Sequence, residues 1–85
     1  MATNLLKLSN GWALGHDRRQ WILYRSVKRG TGRRWKPVAY VSSTKRVLRS
    51  VLGRNGIVLL SAAAKVLDTY PDTFRDWLAT IGEAS

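Results

Sequence analysis

Along this chain apolar residues first alternate with polar ones and then recur every three to four positions, so strands are expected before helices. Gly11-Trp12-Ala13-Leu14-Gly15 reads as a short strand closed by a turn at His16-Asp17. Gln20–Val27 carries Trp21, Ile22, Tyr24 and Val27, which suit a pleated surface, and predicts a second strand. Lys28–Arg33 predicts the turn that follows, with Gly30 and Gly32 supplying positive φ. Trp35–Val41 predicts a third strand. Pro37 cannot donate to a ladder, which places that strand at an edge or puts a bulge in it. Residues 1–10 read as a short lead-in that pairs or frays.

From Ser42 onward the period is helical. At 100° per residue Val47, Leu48, Val51 and Leu52 fall on one arc, with Lys45, Arg46 and Arg49 opposite. Ser42-Ser43-Thr44 offers capping hydroxyls, and Gly53 or Gly56 permits a left-handed end. Ser61 is expected to cap a second helix that runs to Leu67 or Asp68. A third begins near Pro71-Asp72, sets Phe74, Trp77, Leu78 and Ile81 on one face, and stops at Gly82. The expected architecture is one α+β domain over residues 1–85. It is a three-stranded antiparallel β-meander packed by one amphipathic helix and followed by two short C-terminal helices. Trp21 and Trp77 belong to its core. Phe74, Trp77 and Ile81 close that core from the side or form an oligomer contact.

Charge then separates the two ends. Arg18 to Arg54 holds twelve Lys or Arg residues and no Asp or Glu. Residues 1–60 carry thirteen basic and one acidic side chain, net +12; residues 61–85 carry two basic and four acidic, net −2, which together give the overall +10. A solvated surface normally mixes signs. An uncompensated field of this size attracts polyanions, because each neutralised phosphate releases counterions and Arg adds bidentate hydrogen bonds. The candidate phosphate-binding residues form three clusters. Arg18 and Arg19 lie in the first turn. Lys28, Arg29, Arg33 and Arg34 mark the second hairpin's tip, with Lys36 entering the next strand, and Lys45, Arg46 and Arg49 lie on the outer face of the first helix, continued by Arg54; any base specificity would come from the sheet face through Arg25, Arg34 or Trp35. Gathered on one contiguous face these clusters favour a polyanion groove; scattered over every side they favour solubility alone. Trp35, between Arg34 and Lys36, is a candidate for stacking on an unpaired base. In an uninterrupted register Tyr24 and Tyr40 share the face of Arg34 and Lys36; a slip of one residue reverses that.

Other chemistries find little support. The chain has no cysteine, which excludes disulfides and thiolate metal sites, and His16 is its single histidine. Asp68, Asp72 and Asp76 recur every four residues, but Asp72 and Asp76 suit the start of a helix, where negative charge complements the dipole. Gly30-Thr31-Gly32-Arg33-Arg34-Trp35 lacks the third glycine of a dinucleotide fingerprint and the Gly-Lys-Ser/Thr of a P-loop. No nucleophile elbow occurs, and His16-Asp17 fits a turn. No enzyme activity, cofactor or metal is expected. Met1–Lys7 has no sustained apolar stretch, and Ile57–Ala64 is far short of the roughly twenty residues that cross a bilayer, so no membrane partner is expected.

The runs Gly11-Trp-x-Leu-Gly, Gln20-Trp-Ile-Leu-Tyr-Arg, Trp35-x-Pro-Val-x-Tyr-Val-Ser-Ser-Thr-Lys, Val47-Leu and Tyr70-Pro-Asp-Thr-Phe-x-x-Trp77 cover most of the chain. In these it resembles small proteins encoded in proteobacterial phages and prophages. That resemblance implies a phage origin, and phage accessory proteins commonly regulate genes, bind DNA or block host defences; the lack of a visible secretory signal sets the expected place as the host cytosol or nucleoid. In order of elements the chain is also similar to integrase arm-binding modules, which place three antiparallel strands in the major groove. The basic field predicts the function: non-catalytic binding of DNA or RNA, with hairpin and helix cations on phosphates. The alternative is an interaction protein, anti-CRISPR-like, that inhibits a host nucleoprotein. A third reading is a homodimer whose paired sheets or Trp77 face make a continuous basic groove.

Overall fold

The computed structural model describes residues 5–81. Its strands are β1 (Leu6–Ser9), β2 (Trp12–His16), β3 (Trp21–Arg29) and β4 (Gly32–Val41); its helices are α1 (Lys45–Arg54), α2 (Ser61–Asp68) and α3 (Phe74–Thr80). The strands form one antiparallel sheet in the order β1-β2-β3-β4. The expected three-stranded meander is therefore corrected to four strands within an α+β fold. The added strand is the lead-in. Leu6 and Leu8 alternate with Lys7 and Ser9, and Asn10-Gly11 reverses the chain with Gly11 at φ 81°. Ser9 then faces Trp12, with a register shift before Lys7 faces Ala13.

The second hairpin is also tighter than expected. Strand pairing runs to Arg29↔Gly32, leaving Gly30 and Thr31 as the turn. Only Gly30 takes a positive φ, at 60°, and Gly32 does not. Lys28, Arg29 and Arg33 therefore stand on paired strands, not in a loop. Pro37 lies on an edge strand, where Ala39 faces Leu23 and Pro37 faces Tyr24, so Val38 is the extra residue of a β-bulge.

Strand alternation divides the sheet into two faces. The inner face carries Leu6, Leu8, Trp12, Leu14, Trp21, Leu23, Ala39 and Val41, and packs on Leu48, Leu52, Ala63, Leu67, Phe74 and Trp77 of the three helices. Trp21 is fully buried and Trp77 is 9% exposed, as expected of core residues. Trp21 stacks on Tyr70 at 6.1 Å between ring centres, meets Phe74 edge-on at 5.3 Å and leans on Trp77 at 5.8 Å. His16 meets the Trp77 ring edge-on. Ile81 does not close the core; it is exposed, and Leu78 packs there instead. Val47, expected on the buried arc of α1, is likewise exposed.

Two threonines start helices as a matched pair. Thr44 Oγ1 accepts from Val47 N–H and Thr73 Oγ1 accepts from Asp76 N–H. The two caps abut in a bridge, with Lys45 N–H donating to the Asp72 carbonyl and Phe74 N–H to that of Ser43. Ser61 is the first residue of α2 and not its cap; Leu60 holds the cap position without a side-chain bond. Leu60 N–H instead donates to the Leu8 carbonyl at 2.8 Å, which fastens the α1–α2 connection to β1. Gly82, the expected stop of α3, lies outside the described residues. Among those residues no helix is long and apolar enough to cross a membrane.

The β2–β3 turn is held by one carboxylate. Asp17 accepts from Arg19 N–H at 2.7 Å, from Gln20 N–H at 3.0 Å and from Gln20 Nε2 at 3.2 Å. The Arg19 amide is the largest influence holding the Asp17 carboxyl below its ordinary 3.8. At the other extreme, burial pushes the Tyr70 hydroxyl above its ordinary 10.0. A lowered folded pKa stabilises the fold above the unfolded value, and that contribution is lost as pH falls through the folded one. A raised folded pKa acts below the unfolded value and is lost as pH rises through the folded one. The thermal midpoint should therefore fall below about pH 4 and again above about pH 10. Asp17→Ala should lower stability by about 1 kcal/mol at neutral pH and flatten the acid limb; circular dichroism melts across pH would check both.

Candidate functional site

The site is built by an overhang of the sheet. β2 pairs with β3 only as far as Trp12↔Arg25, and Ser26 N–H makes a last bond to the Gly11 carbonyl at 2.8 Å. Beyond that point β3 pairs with β4 alone. Residues 26–35 thus form a two-stranded ribbon that extends about 13 Å from the body of the sheet.

Six cations occupy this ribbon and its root: Arg25, Lys28, Arg29, Arg33, Arg34 and Lys36. The register sets Lys28 directly opposite Arg33 and Arg25 directly opposite Lys36. Like charges in directly opposed positions destabilise a ladder. None of the six has an ion-pair partner among the described residues. Their local contacts are neutral: Arg25 lies over the Trp12 ring at 5.7 Å, and Arg33 Nη1 donates to Ser26 Oγ at 3.0 Å. Val27, Lys28, Arg29, Arg34, Trp35, Lys36 and Pro37 line an open groove of about 470 Å³ along the twisted ribbon. The arrangement is a cationic ribbon with charges on both faces, able to hold anionic oxygens on two sides at once.

The remaining predicted cations lie elsewhere, so the twelve do not gather on one face. Arg18 and Arg19 are exposed in the β2–β3 turn, at the opposite end of β3 and about 26 Å along the strand from Arg29. Lys45 is half-buried, and its Nζ donates to the Tyr70 carbonyl at 2.8 Å. Arg49 pairs with Asp68 of α2. Those two fasten helices and are not available in the way the ribbon cations are. Arg46 and Arg54 are exposed on α1.

Trp35 joins the ribbon cluster and stands 41% exposed, but its aromatic neighbours differ from expectation. Tyr24 faces Pro37, Tyr40 faces Ile22 and Trp35 faces Ser26, so all three rings occupy the outer face of the sheet. Arg34 faces Val27 and Lys36 faces Arg25, on the inner side. The expectation that Tyr24 and Tyr40 share the face of Arg34 and Lys36 is overturned. The Val38 bulge is the reason for Tyr40: strict alternation puts residues 35 and 40 on opposite sides, and one extra residue restores them to the same side. Ser26 and Tyr40 were not among the predicted site residues. Pro37 is the signal in the sequence that could have drawn attention to the bulge and hence to Tyr40. The chain matches no family model, no curated protein and no solved structure.

Proposed function

We propose that this chain is a non-catalytic nucleic-acid-binding protein of phage type, acting in the host cytosol or nucleoid, whose β3–β4 ribbon lies along a phosphate backbone. The observation that carries this reading is the opposed pairing of Lys28 with Arg33 and of Arg25 with Lys36, none of the four having an ion-pair partner among the described residues. In the free protein these pairings oppose the fold. A phosphate between the members of each pair would convert repulsion into charge-assisted hydrogen bonds. Ribbons of two strands also fit the width of a major groove, and equally lie against an extended single strand.

The test is a salt titration. If six phosphates are neutralised, log K falls against log salt with a slope near about −5 for duplex DNA and about −4 for a single strand. Fluorescence anisotropy with labelled oligonucleotides reads this directly. A flat titration from low to moderate salt would remove the proposal. Absence of binding to any bare polymer would turn attention to an acidic face of a host nucleoprotein.

A further inference from the structure

We infer that the nucleic acid taken by the ribbon is single-stranded, and that its bases stack on Trp35 and Tyr40 of the outer sheet face; this rests on the nucleic-acid reading above. The helices cover only the inner face. On the outer face the inner strands are closed over by their own side chains. Ala13 and Ile22 are buried, and a Cβ on Gly15 would stand 2.7 Å from Leu5 Cδ2 and 2.8 Å from Tyr24 Cε2. The open part follows β4, where Trp35 is 41% and Tyr40 57% exposed. A small domain that must fill a core from few large side chains leaves these two rings out of it.

Cations stand beside the rings. Ser26, the direct neighbour of Trp35 across the ladder, accepts from Arg33 Nη1, so the guanidinium is held on the same face as the indole. Lys28 faces Arg33 one step nearer the tip. From the tip inward the outer face therefore presents two cations, then Trp35, then Pro37 beside Tyr24, then Tyr40. The two exposed rings lie about 13 Å apart along the strand, so each meets a different base. Stacking needs the flat face of a base, which a duplex keeps inside its own stack and an unpaired strand presents. A duplex would engage the cations and leave the rings unused.

The experiment compares single-stranded DNA, single-stranded RNA and duplex DNA of one length, using wild type, Trp35→Leu, Tyr40→Leu and Trp35→Phe. Both Leu variants keep apolar bulk at exposed positions, and unchanged melting confirms that they fold. Single strands should bind more tightly than duplex. Each Leu variant should weaken single-strand binding about 5- to 100-fold and leave duplex binding within about 2-fold. Tryptophan emission should be quenched by a single strand in wild type and much less in Trp35→Leu, while Trp35→Phe should retain affinity. Duplex binding as tight as single-strand binding, or Leu variants that bind single strands like wild type, would overturn the inference and leave the function proposed above standing. Binding to none of the polymers would overturn both.

Discussion

Reversing Arg29, Arg33 and Arg34 together to Glu should abolish nucleic-acid binding while leaving the fold intact or slightly more stable. Each phosphate that the protein ceases to neutralise keeps its counterions, which lowers affinity by about 0.9 logarithmic units at about 0.1 M salt. Three such phosphates amount to about 500-fold, and the introduced carboxylates repel the backbone further, so about 10³-fold or more is expected. The loss should be the same for every base sequence, because phosphate contacts carry no sequence information. Stability should move the other way. Glu at 33 faces Lys28 and replaces a repulsive pair by an attractive one, worth about 0.2–1 kcal/mol. Anisotropy titrations and thermal melts on the same samples would check the two halves. A variant that loses affinity through unfolding, or that binds as wild type does, would contradict the assignment of the ribbon.

Trp21→Ala should cost about 3–5 kcal/mol, which is most of what a domain of this length possesses. Trp21 is fully buried and touches three other rings, those of Tyr70, Phe74 and Trp77, so its loss empties the point where β3 meets the last helix. Those rings come from a segment about fifty residues further on, which the Thr44–Thr73 bridge ties to the start of α1. The expected result is a chain largely unfolded at 37 °C, read by loss of near-ultraviolet circular dichroism and by a low urea midpoint. A cooperative melt close to that of wild type would show that the aromatic cluster is not where the core is held.

Much of the fold was legible because its signals are local. β3 announces itself through Trp21, Ile22, Tyr24 and Val27, and α1 through the spacing of Leu48, Val51 and Leu52 behind a threonine cap. β1 was harder to see: four residues hold only two apolar positions, and its place in the sheet depends on Asn10-Gly11 and on a carbonyl, Leu8, that bonds to Leu60 far along the chain. The site was legible as chemistry and not as geometry. Cations could be counted, but their grouping depends on how far each strand pairs. The tight Gly30-Thr31 turn makes Lys28, Arg29 and Arg33 ribbon residues, whereas Arg18 and Arg19 are carried to the far end by the preceding turn. Lys45 and Arg49 looked like their neighbours in charge, yet tertiary partners, the Tyr70 carbonyl and Asp68, claim them. Charge alone does not distinguish a cation that fastens the body from one that awaits a ligand.

The single surplus residue at Val38 also ties the fate of two distant rings to strand length. Whatever substitutions β4 accumulates, inserting or deleting one residue between Trp35 and Tyr40 would swing one of them toward the helices. Residue count in that stretch is therefore constrained separately from the chemistry of Lys36 and the packing of Ala39.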